Sequence, residues 1–78
     1  MKKKKNLKTE IELFVIDVVR ELRNKNNLSQ ADLADKLDVS AGFIGKVESP
    51  NSPSKYNLNH INKLSEIFNC SPKTFLPK

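Results

Sequence analysis

Few of the 78 residues carry side chains able to do covalent or metal chemistry. The one histidine, His60, has no cysteine or carboxylate at ligand spacing, so it is expected at the surface or in a helix cap rather than on a metal. The one cysteine, Cys70, excludes an internal disulfide framework and a Cys-rich zinc site, and suits a reducing compartment. A small buried hydrophobe is its simplest role. Serines are numerous, yet no Ser/His/Asp arrangement and no glycine-rich phosphate loop with its lysine occurs. Neither an enzyme nor a cofactor is expected.

What remains is binding by charge and shape. The net charge of +5 is unevenly spread: Lys2, Lys3, Lys4, Lys5 and Lys8 hold five of the fourteen basic residues, and residues 9–78 are neutral. Residues 1–8 therefore read as a basic, disordered tail, less commonly an arm contacting phosphate. A folded part that binds nucleic acid must do so with locally placed charges. The basic start resembles that of a secretory signal, but Glu10, Glu12 and Asp17 interrupt its apolar part and no small-residue cleavage site follows. With no apolar run of membrane-spanning length, no membrane partner and a cytoplasmic, nucleoid-associated location are expected.

The elements that must position any site are helical. A chain of this size buries only about 60% of its unfolded surface, so one compact domain is expected, over residues 9–76. The first helix opens on Thr9 and Glu12, a capping box, carries Ile11, Val15, Val18, Val19 and Leu22 at core spacing, and ends at Asn27 in the left-handed region. Ser29 and Asp32 open the second, with Ala31, Leu33, Ala34 and Leu37 as its buried stripe. Ser40 caps the third, residues 41–48, which packs through Ile44 and Val47 and holds both glycines of the chain, Gly42 and Gly45. Each costs roughly 1 kcal/mol relative to alanine in a helix interior, so something other than helix stability places them there. Two short helices joined by about three residues form a helix-turn-helix arrangement.

Pro50 and Pro53 make the following stretch a loop. Asn57 then caps a fourth helix with Leu58, Ile61, Leu64 and Phe68 facing the core, Asn69 closes it, and Ser71 with Pro72 starts a last turn that tucks in Phe75 and Leu76. The pattern is all-α, with five helices and no strand.

The runs "LRNKNNLSQADLADKLDVSAGFIGKVE" and "NLNHINKLSEIFNCSPKTFL" resemble the Cro/C1-type (XRE) helix-turn-helix family over about residues 15–76. Leu28-Ser29-Gln30, Leu33-Ala34, Val39-Ser40, Ile44 and Glu48 carry the likeness. It implies a compact five-helix, lambda-repressor-like DNA-binding domain whose third helix enters the major groove, as a homodimer on double-stranded DNA. Asn27, Asp38 and Asn69 depart from the glycines usual there, a tolerable change because Asn and Asp enter the left-handed region readily. The loop "SPNSPSKY" also replaces a commoner connection.

The resemblance also implies roles. Gln30, at the start of the second helix, would hold a phosphate with its amide and the helix dipole. Arg23 and Glu48 would form a partly buried structural ion pair. Ser40, Ala41, Gly42, Gly45 and Lys46 would lie against DNA, Ala41 meeting a thymine methyl and Lys46 guanine or phosphate. Lys55, Tyr56 and Asn57 would form a second phosphate cluster, with Tyr56 equally readable as a half-buried loop anchor. Ala41, Gly42 and Gly45 have no hydrogen-bonding side chain. Either the glycines let the helix backbone sit deep in the groove, or this surface does not read sequence sharply; in both cases shape and phosphate contacts make up much of recognition.

Leu13, Phe14 and Ile16 make the first helix apolar nearly all round, so its extra face should meet a second copy or a partner protein. Two functions stay open: a DNA-binding transcriptional regulator, and a helical protein-interaction module, such as an antitoxin-like partner, with little direct base readout.

Overall fold

A computed structural model describes residues 7–78; the lysines of the tail at positions 2–5 lie outside them. Four α-helices follow in order, α1 (Glu10–Lys25), α2 (Gln30–Leu37), α3 (Ala41–Glu48) and α4 (Leu58–Ile67). The expected fifth helix is a single 3-10 turn, Pro72–Phe75. Four residues led by proline are too few to set up an α-helical ladder, and they serve to bury Phe75 completely. No strand occurs among the described residues.

The caps form as their residues dictate. Thr9 with Glu12 and Ser29 with Asp32 make reciprocal capping boxes. Asn27, Asp38 and Asn69 have φ of 56°, 64° and 54°. Around each, the following amide reaches back to an otherwise orphaned carbonyl: Leu28 N–H to Arg23 O, Val39 N–H to Ala34 O, and Cys70 N–H to Ser65 O, all at 2.9 Å. These are Schellman closures, whose apolar following residue packs onto the helix it ends. That accounts for Cys70, which is half-buried against the core.

α2 packs on α3 and α4, while α1 packs on α3 and on the 3-10 turn, which also touches α4. Val19, Leu33, Ile44, Val47, Leu64 and Phe75 are completely buried at the centre. Five expectations need correction. Ile16 is 2% exposed and belongs to the core, forming one arc with Val15 and Val19; it cannot face a partner. Ile11 is 56% exposed, because it lies one turn before Val15, beyond the edge of the core. Leu58, in the first turn of α4, is 83% exposed for the same reason, and Leu76 stays half-exposed beyond the last turn. Ala31 is exposed, since two residues along a helix from Leu33 is nearly its opposite side.

Candidate nucleic-acid interface

The region around α3 is held by one carboxylate. Glu48, at the end of α3, accepts from Arg23 Nε and one terminal Arg23 nitrogen, each at 2.9 Å. The other terminal nitrogen donates to Leu28 O at 2.9 Å. Gln30 Nε2 donates to the same carboxylate at 3.0 Å, and Arg20 lies 3.9 Å from it. The Arg23 and Glu48 side chains are only 12% and 7% exposed. Two parallel hydrogen bonds between guanidinium and carboxylate set orientation as well as distance. One group therefore ties α1, the α1–α2 turn, the start of α2 and the end of α3 together. Gln30 keeps its second amide N–H and its oxygen free of Glu48.

Ala41, Gly42 and Lys46 are exposed along α3, Gly45 is half-buried beside Gln30, and Ser40 Oγ accepts from Phe43 N–H at 3.0 Å as the cap. On the inner side of α3, Phe43 meets Tyr56 edge-on and lies tilted against His60, with ring centroids 6.2 and 5.3 Å away, and Tyr56 meets His60 edge-on. This aromatic cluster sets the start of α4 against α3. Asn57 and His60 make a third capping box: Asn57 Oδ1 accepts from His60 N–H at 2.8 Å, and His60 Nδ1 accepts from Asn57 N–H at 3.0 Å. Lys55, just before it, pairs with Glu12 at 3.2 Å with both partners partly exposed. Such a pair is worth at most about 1 kcal/mol and opens readily.

Comparison with known proteins completes the description. The model of the Helix-turn-helix family matches residues 19–75, most of the chain and all of the network just described except the α1 start. The chain belongs to this family, in its Cro/C1 (XRE) branch of DNA-binding transcriptional regulators. Among solved structures it is similar to the restriction-modification controller protein C.AhdI from Aeromonas hydrophila, at 25% identity and a TM-score of 0.70, over 86% of this chain and 97% of that one. No curated protein sequence matches it.

Within this helix-turn-helix domain, burial bears on the two readings of Tyr56, and the parts played by Phe43 and Lys8 were not legible in the sequence. Tyr56 is 8% exposed, with its hydroxyl out of water and without a partner among the described residues, which favours the loop-anchor reading over the phosphate one. Burial, with the Glu48 charge adding, pushes its pKa well above the ordinary tyrosine value. Phe43 lacked a recognisable signal, because its partners come from a loop and a cap rather than from helical spacing. Lys8, grouped by charge with the tail, is 6% exposed and donates to Val47 O at 2.6 Å and Ser49 O at 2.7 Å. Burial and then the nearby Arg20 lower its pKa below the ordinary 10.5, with Glu12 opposing.

The His60 cap makes the domain acid-sensitive. Burial lowers the His60 pKa below its ordinary 6.5, so the folded state binds fewer protons than the unfolded chain as pH falls. Its contribution is complete above pH 6.5 and is lost from there down to the lowered value. Glu12 and Asp32, lowered chiefly by the amides of Thr9 and Ser29, lose theirs next, from their ordinary 4.5 and 3.8 downward. Thermal melts should show Tm falling between pH 7 and 5, and His60→Gln, which keeps an acceptor, should flatten that step. A wild-type Tm constant across this range would contradict the assignment.

Proposed function

We propose that this regulator docks α3 in the major groove of double-stranded DNA, clamped on phosphates by Gln30 at the start of α2 and by Lys55 and Asn57 at the start of α4. The observation that carries this is the Glu48 network, which locks α2 and α3 in one arrangement while leaving Ala41, Gly42 and Lys46 outward. Helix starts offer unpaired N–H groups and partial positive charge to phosphate. Ser40 contributes as the α3 cap. With three of the base-facing positions lacking hydrogen-bonding side chains, Lys46 is the sole polar reader, and recognition rests on phosphate and shape. This is a binding protein of the cytoplasm rather than an enzyme. No helix among the described residues is long and apolar enough to cross a membrane.

A random duplex titrated over a salt series tests this reading. Gln30→Ala and Lys55→Ala should weaken binding to all duplexes about equally, and Lys55→Ala should lower the salt slope by about one. A loss confined to one operator would show that base readout had been mistaken for phosphate contact. No binding at low salt would favour the protein-interaction module.

The regulator acts as a homodimer in this proposal. Ile11, Leu13, Phe14, Leu58 and Leu76 are exposed, and Ile11, Leu58 and Leu76 line one groove. Leu76 continues into a second hollow with Phe14, so the apolar surface is contiguous. A contiguous exposed apolar surface of this kind is suited to meet its own copy about a two-fold axis. Phe14→Glu should yield a folded monomer, since Phe14 lies outside the core. Sedimentation of the wild type as a monomer at high concentration would end the dimer proposal.

A further inference from the structure

We propose that Lys8 is a positioning residue for DNA recognition, whose buried ammonium pins the end of α3 to the body of the domain. The inference rests on the α3 docking proposed above. Helices α1, α2 and α4 each close on a left-handed Asn or Asp. α3 does not: Ser49 is extended, with ψ of 131°, and its amide reaches Lys46 O. At this end Lys8 takes Val47 O, and it shares Ser49 O with the Ser52 amide, across 39 and 41 residues of sequence. A cation at a helix C-terminus also offsets the partial negative charge there, to which Glu48 adds its own.

An eight-residue helix cannot hold itself in isolation. Glu48 ties α3 to Arg23 on one side, and Lys8 holds its backbone on the other. Without the ammonium, Val47 O loses its partner and the last turn frays, and Lys46 with the backbone beside Gly45 no longer presents a fixed surface to the groove. Affinity then falls although no phosphate contact has been removed. That separates Lys8 from a lysine that acts on DNA through its charge alone.

Lys8→Met keeps the linear side chain and removes the ammonium. At a temperature where the variant is folded, duplex affinity should fall about tenfold with the slope of log K against log salt unchanged. Amide exchange should speed up at residues 46–49 and stay the same in α4. Unchanged affinity, or a slope lowered by about one with α3 exchange unaffected, would overturn the proposal. Should Lys8→Met not fold, amine acetylation of the wild type decides: Lys8 should resist with and without duplex, and a Lys8 that reacts when free and is shielded by DNA would overturn the proposal. A wild type that binds no duplex would overturn the docking reading itself, whereas a binding-competent wild type with an unaffected Lys8→Met variant overturns this inference alone.

Discussion

Replacing Glu48 with alanine is expected to destabilise the domain by about 3 kcal/mol, because it strands a guanidinium that is itself only 12% exposed. For a chain of this length that corresponds to a Tm lowered by more than about 10 °C. Three losses combine: both hydrogen bonds to Arg23, the acceptor for Gln30, and the link from α1 to the end of α3. Removing both charges together should cost far less, since a packed apolar pair of similar volume often replaces a buried ion pair at little net cost. Thermal and urea melts of Glu48→Ala, Arg23→Met and Arg23→Met/Glu48→Leu check this. A loss below about 0.5 kcal/mol for Glu48→Ala would show the pair to be solvent-screened and not a tie between helices.

Replacing Gly42 and Gly45 with alanine should do the reverse, raising stability by up to roughly 2 kcal/mol for the pair. Neither glycine has positive φ. An added Cβ would meet Ser40 Oγ at 3.9 Å from Gly42 and Gln30 Oε1 at 3.5 Å from Gly45, both ordinary contacts. Nothing in the free protein therefore calls for glycine at either place. If the helix backbone sits deep in the groove, the added methyls displace it and affinity falls while Tm rises. Melts and duplex titrations on each single variant and the double variant separate these effects. Affinity unchanged in all three would remove deep docking as the explanation.

How much was legible in the sequence follows from the range of the interactions. Capping boxes at Thr9 and Ser29 and the left-handed closures at Asn27, Asp38 and Asn69 depend on residues within a few positions, and they read directly. Which arc of an apolar helix faces inward depends on partners elsewhere, so Ile16 and Ile11 exchanged roles. The Arg23–Glu48 pair, 25 residues apart, came from family likeness alone, as no periodicity links those positions. Lys8 was hidden because composition places it among tail lysines, and only the missing closure at the end of α3 shows why a cation is needed there. Tyr56 stood between two roles, and its burial, which depends on Phe43 and His60, favours the loop anchor.

The most direct measurement is an NMR titration of the wild-type protein with a random-sequence duplex at low and moderate salt. Amide shifts should concentrate at the start of α2, along α3 and at residues 55–57, and should shrink steeply as salt rises. Shifts confined to the Ile11, Leu58 and Leu76 face, or none at low salt, would contradict recognition of DNA through α3.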